Sequence, residues 1–333
     1  MNYLSVENLT KSFGIRVLLN NITFGIEKGQ KVAFIAKNGT GKSTFLNILA
    51  GKEGHDTGNI VFRKGIKVGI LSQTPEFNEK LTISEVLFHS ESAQIKAILA
   101  YEKAVKNPSD NAQMQAAFEQ MDRLNAWDYE IRIKQVLGQL NIHNLAQKVG
   151  ELSGGQKKRI ALAQVLIDAP DFIILDEPTN HLDVEMIEWL ENFLSKENMT
   201  ILMVTHDRYF LERVCNEIIE LDDENLYKYK GNYSYFLEKK QAREEIFEAN
   251  VDKAKNLYRK ELDWMRRQPK ARGTKAKSRE DAFYKTKETA HLSKDNSKVD
   301  IAINMNRLGS KILEIHHAKK SFDDLKILAD FNY

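Results

Sequence analysis

The segment Ala36–Ser43, AKNGTGKS, combines the side chains and the backbone freedom that binding of a polyphosphate requires. It follows an apolar segment, Val32–Ile35, that predicts a buried strand, and it leads into a predicted helix that begins near Gly41. A glycine-rich turn between a strand and a helix directs several backbone N–H groups and the positive helix end at one anion. In such a turn Lys42 reaches the β- and γ-phosphates, and the Ser43 hydroxyl binds Mg²⁺. We call Ala36–Ser43 the phosphate loop.

One position of the phosphate loop departs from the pattern G-x-x-x-x-G-K-[ST], because Ala36 occupies the place of the first glycine. Alanine is compatible with that place only if its φ angle is negative, since a Cβ atom disfavours positive φ. Taken alone, the segment could also be an ordinary glycine turn between a strand and a helix. The choice therefore depends on polar side chains further along the chain.

Other apolar segments that predict strands end in polar side chains suited to phosphoryl transfer: Gln73, Asp176, Glu177 and His206. Parallel strands bring their carboxyl ends to one edge of a sheet, where phosphate ligands bind. At that edge we expect Gln73 and Asp176 to bind Mg²⁺, with Gln73 also touching the attacking water. Glu177 would orient or deprotonate this water, and His206 would contact the γ-phosphate. A glutamine or a histidine alone at such a place is more often structural, so their joint occurrence matters.

Two further segments carry candidate binding groups. The LSGGQ segment, Leu152–Gln156, precedes a predicted helix over Lys157–Ile167. It is either a second anion-binding helix N-terminus or an ordinary serine N-cap, which is worth about 1 kcal/mol. Phe13 lies in a predicted turn, Lys11–Gly14, shortly before the phosphate loop. Its ring either stacks on a nucleobase or covers the edge of the sheet.

The phosphate loop, Gln73, LSGGQ, FIILDE and His206 occur together in the order and spacing of an ATP-binding cassette, so residues 1–230 resemble the ABC ATPase family. The resemblance implies an α/β fold, a P-loop ABC-type nucleotide-binding domain with a helical insertion. It implies ATP hydrolysis with ATP and Mg²⁺, catalytic roles for Glu177, His206 and Gln73, and Mg²⁺ ligands at Ser43, Gln73 and Asp176. The implied ATP contacts, with Phe13 stacking on adenine, are Phe13, Ala36, Asn38, Gly39, Gly41, Lys42, Ser43 and Thr44.

In the ABC family two cassettes enclose two ATP molecules head to tail. The resemblance therefore implies that the LSGGQ segment acts on the nucleotide of a facing cassette, through Ser153, Gly154, Gly155 and Gln156. It also implies that Asp183 carries signals across the interface between the cassettes. The facing cassette would lie in the same chain or in a second copy of it. Hydrolysis by this chain is expected to depend on that partner.

Composition limits the class of protein. With 333 residues, 42% of them hydrophobic, the chain can bury a core and suggests about two domains. Its single cysteine, Cys215, excludes an intrachain disulfide and a cysteine-cluster zinc site, so a packing role is expected. No apolar run reaches the length of a membrane span, and the first residues lack the apolar core of a signal peptide. We expect a cytoplasmic protein without a membrane partner.

The net charge of +2 hides a basic region after the cassette. Residues 253–279 contain eleven Lys and Arg against two acidic residues, a net charge of +9, which leaves −7 for the rest of the chain. Apolar periodicity predicts a long helix over 233–268 and a second over 278–292, with a break at Pro269–Gly273. Such a charge run is either a solvated helix face or a nucleic-acid surface, and its place around a turn, beside aromatic residues, favours the second. The predicted RNA contacts are Arg266, Arg267, Lys270, Arg272, Lys275 and Lys277, which we call the tip cations.

Residues 311–333 repeat the beginning of the chain at an offset of 309, so that Lys320-Ser321-Phe322 matches Lys11-Ser12-Phe13. We interpret them as the truncated start of a second cassette. The predicted domains are an ABC domain at 1–235, with a helical insertion at about 76–150, a basic helical hairpin linker at 236–305, and the second ABC domain from 311 to 333.

Twin cassettes joined by a basic hairpin, with no membrane segment, resemble the ABC-F family of translation factors, and the tip sequence WMRRQPKARGTKAKSR is similar to its Uup-like branch. The resemblance implies binding to the ribosome, with rRNA and tRNA as partners, and an insertion after Gln73 that contacts the ribosome. Alternatives are a DNA-associated ATPase of the Uup type, the ATPase subunit of a membrane transporter, and a cassette ATPase of DNA repair. A transporter subunit has no evident use for the basic hairpin, and repair cassettes typically carry zinc-binding cysteines or very long coiled coils.

Overall fold

The computed structural model describes residues 1–37, 39–88, 93–106, 111–222, 224–266, 277–291, 316–322 and 325–332. Contacts divide the chain into two units, Met1–Glu245 and Ile246–Tyr333. Asn38 and four of the tip cations, Arg267, Lys270, Arg272 and Lys275, lie outside the described residues.

The strands of the first unit form two sheets. They are β1 (Asn2–Phe13), β2 (Arg16–Glu27), β3 (Lys31–Ala36), β4 (Thr57–Phe62), β5 (Val68–Leu71), β6 (Phe172–Asp176), β7 (Thr200–Val204), β8 (Glu217–Asp222) and β9 (Asn225–Lys230). β1 pairs antiparallel with both β2 and β4. The larger sheet has the order β5-β6-β7-β3-β8-β9, in which the pairs are parallel except that β9 runs antiparallel to β8. The carboxyl ends of its parallel strands therefore share one edge.

Helices cover this framework. They are α1 (Lys42–Leu49), α2 (Ile83–Leu87), α3 (Ala93–Lys106), α4 (Asn111–Arg123), α5 (Ala126–Gln139), α6 (Gly154–Asp168), α7 (Val184–Lys196) and α8 (Arg208–Val214). α9 (Tyr233–Arg266) begins in the first unit and continues into the second, which also contains α10 (Lys277–His291). Of the helices in the described ranges, none has both the length and the apolar character that crossing a bilayer would need.

Both faces of the larger sheet are buried, as β6 illustrates. Ile173 and Leu175 pack into a core cluster shared mainly with helices, whereas Phe172 and Ile174 pack into a second cluster with the smaller sheet and α1. A strand buried on both faces has a continuous apolar sequence rather than an alternating one. This explains the run FIIL, and the predicted α/β class is confirmed.

The segment after Gln73 is helical, as predicted, and contains α2 to α5. Its helices share an aromatic cluster in which the Tyr101 and Trp127 ring centroids lie 4.9 Å apart and those of Phe118 and Trp127 lie 5.1 Å apart. The insertion thus has packing of its own beside the sheet.

α6 begins earlier than predicted, at Gly154 rather than Lys157. Ser153 is its N-cap: the Ser153 hydroxyl accepts a hydrogen bond from the Gln156 backbone N–H at 3.3 Å, and Gln156 Oε1 accepts one from the Ser153 N–H at 2.9 Å. This reciprocal pair is a capping box. The glycines of the LSGGQ segment therefore form a helical first turn and not a loop.

The start of α9 is fixed to β8 and β9 by ion pairs with buried carboxylates. Lys240 Nζ lies 2.6 Å from Glu220 Oε1, and Arg243 Nη2 lies 2.9 Å from Glu220 Oε2 and 3.1 Å from Asp222 Oδ2. Arg243 Nη1 also donates to the Tyr229 hydroxyl at 2.6 Å. Because Glu220 is only 2% exposed, loss of its cations would leave a buried charge unpaired, which is strongly destabilising. These contacts hold the root of the helix against the sheet.

In the second unit, α9 and α10 meet through aromatic side chains. The Tyr258 ring stacks on Phe283 with centroids 5.3 Å apart, and it lies 5.4 Å from the His291 ring. The two predicted helices of the linker are therefore present and in contact. The predicted break between them lies outside the described residues.

A hairpin of β10 (Ala318–Phe322) and β11 (Leu325–Phe331) repeats the register of β1 with β2. Its registered pairs are Ala318–Phe331, Lys320–Leu328, Ser321–Lys326 and Phe322–Leu325. Pairs 309 positions earlier in the first hairpin are Leu9–Ile22, Lys11–Leu19, Ser12–Val17 and Phe13–Arg16. Asn8 and His317, at equivalent positions, both have a φ of 51°, and their N–H groups donate to Thr23 Oγ1 at 2.9 Å and Asn332 Oδ1 at 2.8 Å. The sequence repeat is also a repeat of strand pairing.

Candidate nucleotide-binding site

The phosphate loop has the backbone of an anion-binding loop. Gly39 and Gly41 have φ angles of 77° and 91°, and Gly41 is the N-cap of α1. A Cβ atom on Gly41 would lie 2.8 Å from Leu18 Cδ1, so close packing and backbone angle both favour glycine. Ala36 ends β3 and is not among the residues with positive φ, which satisfies the condition for alanine at that place. Lys42 Nζ donates to the Ala36 carbonyl at 2.9 Å, so the ammonium folds back over the loop.

A cavity of about 510 Å³ lies beside this loop. It is lined by Phe13, Arg16, Leu18, Gly39, Gly41, Lys42, Ser43 and Thr44. Phe13 is the last residue of β1 and not part of the predicted turn; its ring is 52% exposed and lies 4.8 Å from Lys11 Nζ. The ring predicted to stack on a base and the groups predicted to bind phosphate thus line one cavity, which fits a nucleotide.

A second cavity, of about 520 Å³, is also lined by Ser43. Its lining consists of Ser43, Asn47, Lys52, Ser72, Gln73, Thr74, Glu76 and Asp176. The predicted magnesium ligands Ser43, Gln73 and Asp176 are therefore brought together, and they offer the hard oxygen donors that Mg²⁺ prefers. Asp176 is 7% exposed, and burial raises the pKa of its carboxyl against the opposing effect of the Lys158 ammonium. A buried carboxylate beside a polar cavity fits a bound divalent cation.

Glu177 has a strained backbone at the end of β6. It is 8% exposed and has a φ of 50°, a conformation that costs a side-chain-bearing residue on the order of 1–3 kcal/mol. Its N–H donates to the Val204 carbonyl at 2.8 Å, and its carbonyl accepts from the Asn180 N–H at 3.3 Å. Its carboxylate faces His206, with Oε2 3.3 Å from the backbone N and Oε1 3.6 Å from Nε2. Two of the three predicted catalytic side chains, Glu177 and His206, are thus neighbours at the ends of β6 and β7.

The buried cation Lys158, which contacts the residues at the ends of β5 and β6, was not predicted. Lys158, on α6, is 3% exposed, and its Nζ donates to the carbonyls of Ser72 at 2.7 Å, Gln73 at 3.3 Å and Asp176 at 2.7 Å. Burial lowers the pKa of this ammonium to about 8, although Asp176 and Glu177 oppose the shift. In the sequence, Lys157-Lys158-Arg159 resembles ordinary surface charge and gives no sign that one lysine is buried.

Two models of known protein families match this chain. A family model described as "ABC transporter" matches residues 19–180, and a second with the same description, ABC_tran_Xtn, matches residues 219–301. The chain carries an ABC-family ATP-binding domain. A solved structure of an ATP-binding subunit of an ABC transporter superposes with a TM-score of 0.52 at 24% identity, covering 68% of this chain and 90% of that chain. The predicted P-loop ABC-type fold is confirmed.

Curated relatives extend over the whole chain. The ABC transporter ATP-binding protein YfmR of Bacillus subtilis is 44% identical over 340 residues, which cover 100% of this chain and 54% of YfmR. The energy-dependent translational throttle protein EttA of Mycobacterium tuberculosis is 34% identical over 337 residues, which cover 99% of this chain and 60% of EttA. The chain therefore spans 54% to 60% of the length of these relatives.

The LSGGQ segment lines neither the cavity beside the phosphate loop nor the cavity of the predicted magnesium ligands. Its residues Leu152 and Gln156 line a separate cavity of about 190 Å³. The segment packs on the turn after Glu177, because a Cβ atom on Gly155 would lie only 3.3 Å from His181 Cβ. Asp183, in the same turn, caps α7: its Oδ1 accepts from the Met186 N–H at 2.9 Å. The roles across a facing cassette remain predictions for Ser153, Gly154, Gly155, Gln156 and Asp183.

The residues that line these two cavities without having been predicted are Arg16, Leu18, Asn47, Lys52, Ser72, Thr74 and Glu76. Asn47 lies four positions after Ser43 on α1, and this spacing places both side chains on one helix face. This spacing alone would have identified Asn47 as a candidate site residue. Lys52 Nζ donates to the Ser72 hydroxyl at 2.7 Å, a contact between distant segments that no local pattern indicates.

We expect Lys42→Ala to weaken ATP binding by about 10- to 100-fold, because an ammonium that hydrogen-bonds to the phosphates is lost. Calorimetric titration with ATP and Mg²⁺ measures the effect. Lys64→Ala removes an equal charge from an exposed turn outside both cavities and should retain wild-type affinity. Equal ATP affinity in Lys42→Ala and the wild type would contradict the assignment of the phosphate loop.

Proposed function

We propose that this chain is an ATP-hydrolysing, cytoplasmic member of the ABC-F family, of the Uup-like branch, that acts on the ribosome through its basic linker. The observation that carries the proposal is the extent of the likeness to EttA, whose name assigns it to translation: the alignment covers 99% of this chain, including the linker. The transporter ATP-binding subunit covers only 68% of the chain. The likeness to EttA extends further along the chain than the likeness to that subunit, and we favour the ABC-F function on this ground.

The repeated hairpin supports a tandem arrangement of cassettes. β10 and β11 reproduce the β1–β2 register pair by pair, and β1 and β2 are the first elements of the ABC domain. We therefore assign β10 and β11 to a second cassette, which places the linker between the two. The facing cassette that the LSGGQ segment requires would then be a complete second cassette in cis, or a second copy of this chain in trans.

Contacts inside the first unit offer a route from the nucleotide to the linker. Asp222 Oδ1 lies 3.3 Å from Lys37 Nζ in the phosphate loop, and Asp222 Oδ2 lies 3.1 Å from Arg243 Nη2 at the root of α9. β8, which ends at Asp222, pairs directly with β3, which ends at Ala36. A shift of the phosphate loop when phosphates bind would therefore move Asp222 and, through it, Arg243 near the start of α9.

In the proposed reaction, Phe13 stacks on the adenine and Lys42 binds the β- and γ-phosphates. Glu177 takes a proton from the water that attacks the γ-phosphorus, while the bond from phosphorus to the β–γ bridging oxygen breaks and ADP leaves. His206, beside Glu177, contacts the γ-phosphate and holds the carboxylate in place. Ser43, Gln73 and Asp176 would hold Mg²⁺, which would supply positive charge against the phosphate oxygens.

Sedimentation with ribosomes tests the proposal. The Glu177→Gln variant of this chain, with ATP and Mg²⁺, is centrifuged with purified ribosomes and, separately, with duplex DNA of equal phosphate content. We expect ribosome pelleting that depends on ATP and that Lys42→Ala weakens. Pelleting with DNA alone would favour the DNA-associated alternative, and pelleting with neither would contradict action on a nucleic acid.

Turnover should depend on a facing LSGGQ segment. We expect the rate per molecule to rise with protein concentration, since dilute chains lack that partner. Mixing supplies a sharper test: Glu177→Gln lacks the catalytic carboxylate, and Ser153→Ala lacks the LSGGQ hydroxyl, but a mixed pair contains one complete site. The mixture should therefore hydrolyse ATP faster than either variant alone at the same total concentration. A substantial rate that does not change on dilution, with no gain on mixing, would contradict the facing-cassette arrangement.

A further inference from the structure

Lys158 uses all of its hydrogen-bonding capacity on main-chain carbonyls. An ammonium has three N–H donors, and those of Lys158 go to Ser72, Gln73 and Asp176, at 2.7, 3.3 and 2.7 Å. The side chain is 3% exposed, and its Nζ forms no ion pair with a carboxylate among the described contacts. A buried cation satisfied in this way holds its partners in fixed positions, because each bond lost would leave a buried polar group without a partner.

The three carbonyls lie where the strand ladder ends. The last registered pair of β5 with β6 is Leu71–Leu175, and Ser72, Gln73 and Asp176 follow it directly. No further β5–β6 pair fixes the spacing of the two strand ends. Lys158 takes the place of that missing pair, and two of the residues it holds, Gln73 and Asp176, are predicted magnesium ligands.

The helix that carries Lys158 is predicted to act on a different nucleotide from the one whose magnesium ligands Lys158 contacts. Lys158 lies on α6, five positions after Ser153, whose capping box starts that helix. The LSGGQ segment is predicted to act on the nucleotide of the facing cassette. Lys158, on the same helix, instead contacts Gln73 and Asp176, the predicted magnesium ligands of its own cassette. The preceding residue, Lys157, forms an ion pair with Glu79 instead, with Nζ 3.4 Å from Oε1.

We infer that Lys158 is a positioning residue for the predicted magnesium site of its own cassette, where it sets the distance between Gln73 and Asp176. The inference deepens the proposed ATPase function and rests on it for the identity of the metal. Its main test needs only binding to a single chain.

Calorimetry with ATP in EDTA and with ATP and Mg²⁺ gives the gain in affinity that the metal provides. In Lys158→Met we expect this gain to fall by about 10- to 100-fold, the usual cost of losing a group that orients metal ligands. Affinity for ATP in EDTA should stay within about twofold of wild type, since the phosphate loop is unchanged. Lys157→Met, which removes the same charge from the neighbouring position, should behave as wild type.

Lys158→Gln keeps the measurement possible if the methionine variant does not fold. Its amide has two N–H donors, so it should show a smaller loss of the metal-dependent gain than methionine would. A metal-dependent gain equal to wild type in whichever variant folds would overturn the inference. So would an equal loss of ATP affinity with and without Mg²⁺, since a merely structural role predicts that result.

Mixed pairs of variants locate the effect in one cassette. Starting from the mixture of Glu177→Gln with Ser153→Ala, Lys158→Met is added to one partner at a time. In the partner that supplies Glu177 it should remove the regained activity, whereas in the partner that supplies Ser153 it should leave that activity. The reverse pattern would mean that Lys158 serves the LSGGQ segment and would overturn the inference. If the unmodified mixture shows no regained activity, the facing-cassette proposal fails, and the calorimetric result still decides the role of Lys158.

Discussion

Replacing Glu177 with glutamine is expected to lower ATP turnover by about 10²- to 10⁴-fold, because an amide cannot accept the proton of the attacking water. ATP binding should survive, since Lys42 and the predicted magnesium ligand Asp176 are unchanged. The amide also retains a group that can face His206, so the local packing around the strained backbone at Glu177 is preserved. Phosphate release at saturating ATP, together with calorimetric titration, separates the two effects. In the facing-cassette arrangement, the ATP-bound pair should accumulate.

Glu79→Gln is the matched control for this change. Glu79 carries the same charge, its side chain is 72% exposed, and it lies outside both cavities. This variant should retain wild-type turnover at equal protein concentration. If Glu177→Gln lost ATP binding and turnover to the same degree, Glu177 would have a structural role and the assignment of the general base would be wrong.

The candidate site was predictable where function depends on the order of residues along the chain. Ser43, Gln73 and Asp176 each lie within two positions of the end of an element that the apolar sequence predicts as a strand or a helix. Parallel strands meet at one edge, so their end residues converge without knowledge of side-chain packing. The structure brings these three residues to one cavity. Periodicity and motif spacing carry this kind of information.

Groups that act through contacts between distant segments were not predictable. Lys158 binds carbonyls that lie 86, 85 and 18 positions away in the sequence, and nothing in its neighbours distinguishes it from Lys157. Glu177, which has a positive φ, likewise donates a hydrogen bond to Val204 on a strand that is distant in the sequence. Single-sequence patterns describe local geometry, whereas these features depend on tertiary packing.

The fold shows the same division. The α/β class follows from apolar runs of strand length, and the repeat at 311–333 was visible as matching residues. The attachment of α9 was not, because Glu220 and Arg243 look like ordinary charged residues of a strand and a helix until the structure pairs them at 2.9 Å. Burial of Glu220 converts that pair into a fixed joint at the root of the linker.

The linker is where we expect specificity for the partner to lie, because the cassette performs the same chemistry in proteins with different tasks. Residues 253–279 carry a net charge of +9, and the tip cations stand on both sides of the predicted break. Of these six, the described residues Arg266 and Lys277 are exposed, at the end of α9 and the start of α10. Contact between the helices through Tyr258 and Phe283 supports a single hairpin that presents the charges together.

Changing all six tip cations to glutamine is expected to abolish association with the ribosome while leaving ATP binding intact. If about six phosphates are neutralised, log K should fall with log[salt] at a slope of roughly −4 to −5 in the parent protein and should be nearly flat in the variant. Phosphate contacts do not read sequence, so a change of RNA sequence should matter little. The measurement is ribosome pelleting across a salt series, in the Glu177→Gln background with ATP.

A control with equal loss of charge replaces exposed lysines of the first unit by glutamine: Lys28, Lys64, Lys80, Lys148, Lys196 and Lys230. The control should keep most of the slope, since those charges are spread over the cassette; an unchanged slope and undiminished pelleting in the tip variant would mean that the charge run is a solvated helix face.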